Sequence, residues 1–248
     1  VVASLPECAC AQVELHSLQL RAGQPVPDTI LSPVEKRRAA AFRSCAAARS
    51  FVAGRLLCRT ILGRATGCAP QALTIALSSE SRPYLPDHPD IDFNLSRTAD
   101  TIALAVSRNG RVGLDIERPE RLHETEIRGL APLVLSMAET AALQQLPAPQ
   151  RPAAFFELWV GKEAVLKCRG RGLLDDPRHV TADTSRTTGS KCGDVHHLHA
   201  GVRLHQGREP GYVWAVATEC RTDQVIIHYQ ECVNRLCVIT NNKTDSGN

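Results

Sequence analysis

The sequence is most informative first in what it lacks. No apolar run approaches the ~20 residues that a membrane-spanning helix requires, so a membrane role is not expected. No C-x-x-C pair occurs; the ten cysteines fall singly, with only Cys8 and Cys10 nearly adjacent, and this excludes a zinc ribbon. The opening "VVASLPECAC" lacks the basic start and long apolar core of a secretory leader, so the cysteines read as buried free thiols and the expected location is cytoplasmic. A strong charge of either sign is also missing. With 29 basic and 26 acidic side chains the formal net charge is only +3, and any attraction to polyanions must come from local clusters. Aromatic residues are sparse at 4%, but 43% hydrophobic and 22% charged residues over 248 positions are ordinary globular values. The chain is long enough to bury a substantial core, and it shows neither short repeats nor low-complexity segments.

What is present divides at Pro119 into two halves, expected at 1–118 and 119–240, followed by a polar tail at 241–248. In the first half, Leu31 to Gly63 is rich in Ala, Leu and Arg behind the start signal Ser32-Pro33, and predicts two helices or one broken one. "QALTIALS", "IDFNLS", "TIALAVS" and "VGLDIE" read as strands, the last two joined through the "RNG" turn as a hairpin. In the second half, a Pro-rich break precedes the helix expected from Ala153 to Gly170, ended by a glycine after basic residues. "GYVWAVATE" and "DQVIIHYQE" read as antiparallel strands.

Two places carry chemistry. In a strand, residues two apart share a face, so Asp115 and Glu117 project together while Val112, Leu114 and Ile116 project to the other side. Taken alone, the pair could simply meet solvent. On the later helix, Trp159, Glu163 and Lys167 stand at i, i+4 and i+8 and line one face. That helix is otherwise strongly apolar, so a carboxylate on it is costly unless it is paired or metal-bound. If Glu163 meets Asp115 and Glu117, three carboxylates form a hard oxygen site suited to Mg²⁺, with Lys167 placed to neutralise a phosphate.

These residues resemble a known family. "VGLDIE" and "WVGKEAVLK" are similar to the two signature motifs of the 4′-phosphopantetheinyl transferases, G-[IV]-D-[IV]-E and W-x-x-K-E-[AS]-x-x-K. "LSPVEKRR", "AARSFVAGRLLCR", "SRPYLP", "FNLS" and "GYVWAVAT" follow in the family's order, so that the resemblance spans residues 30 to 230 and is nearest to the larger monomeric type. It implies an α/β (α+β) fold of two similar halves, each with a long helix on a small antiparallel sheet, related by a pseudo-twofold axis. It implies transfer of 4′-phosphopantetheine from coenzyme A, as substrate, to a serine of an apo acyl or peptidyl carrier protein, with Mg²⁺ (or Mn²⁺ in its place) as cofactor, and neither nucleic acid nor membrane as partner.

Carried over residue by residue, the resemblance makes Asp115, Glu117 and Glu163 the metal ligands, and Glu163 and Lys167 the catalytic pair. Lys36, Arg38, Arg49, Arg82, Asn94, Ser96, Arg97, Lys162 and Lys167 become contacts of coenzyme A. Carrier docking is expected on Leu130, Leu133, Val134 and Leu135. Two departures stand out: Arg97 replaces the family's histidine, which keeps phosphate binding but removes a group that titrates near neutrality, and "SRP" replaces G-K-P, so the turn there is expected to differ. The same residues also allow a metal-dependent nuclease or a non-catalytic coenzyme A-binding homologue. "KCGDVHHLH" reads as a solvent-facing histidine-rich loop rather than a metal site, and the sequon at Asn242 as unmodified.

Overall fold

Ser32 and Ser44 start the first two helices. Ser32 caps α1 (Pro33–Ala40) in a capping box, its hydroxyl accepting from the Glu35 amide while the Glu35 carboxylate accepts from the Ser32 amide. Ser44 caps α2 (Cys45–Thr66), which ends on Gly67 in the left-handed region. The expected helical region from Leu31 is therefore two helices.

The computed structural model describes residues 13–108, 110–170, 175–180, 195–197, 202–219 and 225–230. The tail expected at 241–248, Asn242, Cys192 and His199 lie outside them. The remaining elements are β1 (Val13–Gln19), β2 (Ala76–Leu77), β3 (Pro83–Tyr84), β4 (Ile91–Thr98), β5 (Thr101–Arg108), β6 (Val112–Glu117), α3 (Glu124–Val134), α4 (Met137–Gln145), α5 (Arg151–Arg169), β7 (Val195–His197), β8 (Arg203–Glu209), β9 (Tyr212–Thr218) and β10 (Val225–Gln230). The strand expected over "QALTIALS" is reduced to the two residues of β2, and part of the expected histidine-rich loop is strand β7, paired with β8.

Two four-stranded sheets, ordered β10-β1-β5-β4 and β6-β9-β8-β7, carry eight of these strands, and β2 and β3 form a two-stranded sheet of their own. Helix α2 packs on the first sheet, where Leu56, Leu57 and Ile61 meet Phe93, Ile102 and Leu104. Helix α5 packs on the second, against Val213, Ala215 and Ala217 of β9. Between the sheets, Val13, Leu15, Ala103 and Ala105 meet Val112, Leu114, Ile116, Trp214 and Val216. Each fully buried Leu, Ile or Phe contributes about 1.5–3 kcal/mol of transfer free energy to this arrangement. Among the described residues, no helix is long and apolar enough to cross a membrane.

Two expectations are corrected. β5 and β6 do not form a hairpin, because β5 is already flanked by β1 and β4, and β6 pairs with β9 instead. β9 and β10 do not pair with each other; β10 runs parallel to β1 at the edge of the first sheet. β6 thus belongs with the second sheet, and β10 returns to the first.

Candidate active site

β6 is an edge strand, and its outward amides need partners. Side chains of β4 provide them. The Val112 amide donates to Oδ2 of Asp92 at 2.8 Å, the Leu114 amide to Oδ1 of Asn94 at 3.0 Å, and the Ile116 amide to Oγ of Ser96 at 3.3 Å. The period of two along both strands makes this possible: Ile91 and Phe93 face α2, while Asp92, Asn94, Ser96 and Thr98 face β6. The ladder continues into the acids. Ser96 Oγ donates to Oδ1 of Asp115 at 2.8 Å, and Thr98 Oγ1 donates to Oε2 of Glu117 at 2.9 Å.

Helix α5 covers the acidic face of β6 at very close range. A Cβ at Gly113 would overlap the Ala164 carbonyl oxygen and the Cys168 amide, so glycine is required there. The approach brings Nζ of Lys167 to 2.6 Å from Oδ1 of Asp115, which is 5% exposed. Glu163 lies one turn earlier. Burial pushes its carboxyl pKa up; Lys167 opposes this, and the negative charges of Asp115 and Glu117 add to it. The four predicted chemical residues are thus brought together, and Asp115 does not face open solvent.

Oδ2 of Asp115 and Oε1 of Glu163 are buried with no hydrogen-bond partner among the described residues. Orphaned carboxylate oxygens are costly to bury, and a hard divalent cation is the partner their chemistry suits. Among the described residues no three acidic, His or Cys side chains are already gathered tightly enough to chelate an ion. Asp115 instead satisfies one oxygen with Lys167 and Ser96.

Several residues expected to contact coenzyme A have partners within the protein. Asn94 and Ser96 are buried, with Asn94 Oδ1 and Ser96 Oγ accepting from β6 amides. Lys162 is fully buried in an ion pair with Glu139 at 2.8 Å and also donates to the carbonyls of Pro177 and Val180, joining α5 to α4 and the segment after it. Burial pulls its pKa down, against the pull of Glu139. Arg49 donates to the Gln24 and Arg21 carbonyls. Arg82 donates to Asp92 and to the Lys167 and Val112 carbonyls. The turn before Arg82 keeps a left-handed residue, with Ser81 at φ 62, despite the missing glycine.

The remaining basic residues do converge. Arg38 lies over the Phe51 ring at 5.4 Å, and Arg55, which sequence reading did not single out, lies over it at 5.5 Å. The Arg97 guanidinium crosses Gly54, where a Cβ would stand 2.5 Å from Nη2. Desolvation of that guanidinium lowers its pKa, and after the opposing effect of Cys58 the neighbouring Arg55 and Arg38 lower it further. Three cations therefore lie near one another, Arg55 also standing 3.7 Å from the Glu35 carboxylate. Lys36 is exposed and sits 3.7 Å from Asp28.

Beside Glu117 opens an apolar cavity of about 250 Å³ lined by Leu122, Leu130, Val134, Phe155, Phe156 and Trp159. Leu133 next to it is exposed, whereas Leu135 is buried in the core and unavailable for docking.

Comparison with known proteins places this site in a family. Residues 111–217 match the model described as the 4′-phosphopantetheinyl transferase superfamily, and residues 27–109 match that described as 4′-phosphopantetheinyl transferase, N-terminal. The chain belongs to the 4′-phosphopantetheinyl transferase superfamily. It is a transferase enzyme by that membership. It is 36% identical over 155 residues to the 4′-phosphopantetheinyl transferase AcpT of Salmonella typhimurium, covering 61% of this chain and 69% of the relative. It is 30% identical over 178 residues to HetI of Nostoc sp., covering 68% and 73%. With psf-1 of Bacillus pumilus it shares 28% over 208 residues, covering 84% and 87%. The junction between the two family models, near residue 110, falls just before β6 and agrees with β6 belonging to the second sheet.

Proposed function

We propose that this chain transfers 4′-phosphopantetheine from coenzyme A to a serine hydroxyl of an apo acyl or peptidyl carrier protein, releasing adenosine 3′,5′-bisphosphate. The observation that carries the reading is the meeting of Asp115 and Glu117 on β6 with Glu163 and Lys167 on α5, with two buried carboxylate oxygens left unpartnered among the described residues. The names of the relatives support the same reaction.

Asp115, Glu117 and Glu163 are the residues that would hold Mg²⁺, or Mn²⁺ in its place. When bound, such an ion supplies charge neutralisation at the pyrophosphate oxygens. The chain's own groups do the rest. Glu163, its carboxyl pKa raised by burial, takes the proton of the carrier serine, whose oxygen then attacks the phosphorus bearing the pantetheine arm. The bond from that phosphorus to the oxygen of the bisphosphate nucleotide breaks, and Lys167 Nζ stabilises the departing phosphate. Arg38, Arg97 and Arg55 offer their neighbouring positive charges to the phosphates of coenzyme A, with Lys36 at the margin. Leu130, Leu133 and Val134 receive the carrier beside the apolar cavity at Glu117.

The same reading has the enzyme acting as a monomer in the cytoplasm. It also relates the halves by a pseudo-twofold axis, supported by one long helix on each four-stranded sheet. Intact mass spectrometry of a panel of apo carriers incubated with coenzyme A and Mg²⁺ tests the reaction: gain of one phosphopantetheine mass on the serine supports it, and no gain on any fatty-acid, polyketide or peptide-synthetase carrier opposes it.

A further inference from the structure

Arg82 stands on the short segment before β3, far in sequence from α5, yet its guanidinium reaches the last turn of that helix. Nη1 donates to the Lys167 carbonyl oxygen at 2.5 Å. Nη2 donates to Oδ2 of Asp92 at 2.6 Å and to the Val112 carbonyl oxygen at 2.7 Å. One side chain thus holds three elements: the end of α5, the start of β6 and the edge strand β4. The Arg82 side chain is 12% exposed, and these three partners engage it where the resemblance expects a contact with the nucleotide.

The position of the tie gives it a consequence. Lys167 is on the last turn of α5, where helix carbonyls lack intrahelical donors; among the described residues, its own carbonyl accepts from the Gly170 amide, at 3.1 Å, and from Arg82. Val112 and Asp115 belong to one six-residue strand. Fixing the Lys167 backbone against Val112 therefore fixes the helix register that sets Lys167 Nζ at 2.6 Å from Asp115. The left-handed Ser81, immediately before Arg82, stores backbone strain that a serine tolerates only when its surroundings hold it. Its neighbours do so: the Ser78 amide donates to the Arg82 carbonyl at 2.8 Å, and the Arg82 amide donates back to the Ser78 hydroxyl at 3.2 Å.

We propose that Arg82 is a positioning residue, which locks the end of α5 onto β6 and β4 and so places Lys167 against Asp115, and that it does not contact coenzyme A. The assignment of a catalytic consequence rests on the phosphopantetheinyl transfer reading; the placement of Lys167 does not. Arginine suits the role because its rigid planar fork presents donors from two separate nitrogens to acceptors on three elements, whereas a lysine offers a single nitrogen on a flexible stem.

The test compares wild type with Arg82→Met and the conservative Arg82→Lys. Reductive methylation, read by peptide mass spectrometry, follows Lys167, with fully buried Lys162 and exposed Lys36 as internal references. Lys167 is expected to label several-fold faster in Arg82→Met and at an intermediate rate in Arg82→Lys, while Lys162 stays protected and Lys36 is unchanged. In carrier loading, kcat is expected to fall at least about tenfold in Arg82→Met, as misplacement of a reacting group does, with KM and Kd for coenzyme A within about twofold of wild type. Unchanged labelling of Lys167 overturns the proposal. Labelling of Lys162 along with Lys167 in both variants also overturns it, because the role would then be stability alone. Weakened coenzyme A binding with unchanged kcat assigns Arg82 to the nucleotide and overturns it as well. If wild type loads no carrier but the labelling contrast holds, the transfer reading fails and the placement of Lys167 by Arg82 stands.

Discussion

The Ser96 hydroxyl bridges two groups of β6: it donates to Oδ1 of Asp115 at 2.8 Å and accepts from the Ile116 amide at 3.3 Å. A residue expected to hold coenzyme A is thus occupied in holding an acid of the candidate site. Ser96→Ala removes a buried donor and leaves the Ile116 amide unpaired, so stability is expected to fall by about 1–3 kcal/mol in urea unfolding. Carrier loading should slow through kcat, with the KM for coenzyme A unchanged. A raised KM with normal kcat would return Ser96 to the nucleotide pocket.

Lys162 and Glu139 form a second relationship that sequence reading assigned differently. Both are buried, at 0% and 4% exposure, and their separation is 2.8 Å. Lys162→Met strands Glu139 as an uncompensated buried charge and is expected to cost about 3–5 kcal/mol. Adding Glu139→Gln removes that charge while keeping an acceptor for the Ser136 amide that Glu139 caps, and should recover much of the loss. Chemical denaturation of the two variants measures both steps, and coenzyme A affinity in the double variant should match wild type.

Two buried thiols give a pH dependence. Burial pushes Cys58 from 9.0 up to about 11 and Cys168 from 9.0 up to about 12. Their folded-state values lie above the unfolded ones, so the stability they contribute is complete below pH 9 and is lost as pH rises through about 11 and 12. Urea midpoints should therefore fall between pH 8 and pH 10.5, and fall less in Cys58→Ala than in wild type. At pH 8, iodoacetamide should label exposed Cys45 and spare both buried thiols.

How much of this was legible in the sequence depends on how local each feature is. Ser32, Pro33 and Gly170 mark helix ends through their own backbone preferences, and α1, α2 and α5 fall where those signals point. Strand β6 and the Trp159, Glu163, Lys167 face were likewise visible from periodicity. Pairing was not. The N-G turn favours a hairpin only while β5 has a free edge, and β1 and β4 occupy both. The intramolecular partners of Asn94, Ser96, Arg82 and Lys162 are not legible for a related reason. A polar side chain in a motif reads as a ligand contact, whereas here an edge strand, a helix end and a buried Glu139 claim those atoms first. Gly113 was readable as part of the "VGLDIE" motif, but its need for glycine follows from the approach of α5, which no local pattern reveals.

Under the proposed function, Glu163, brought beside Asp115 and Glu117 by the packing of α5 on β6, takes the serine proton and serves the metal site. Single-turnover loading of an apo carrier by Glu163→Gln, with coenzyme A binding measured by calorimetry on the same sample, tests it most directly. The expected result is coenzyme A bound at near wild-type affinity and no phosphopantetheine on the carrier at any Mg²⁺ concentration. Loading at the wild-type rate would contradict it.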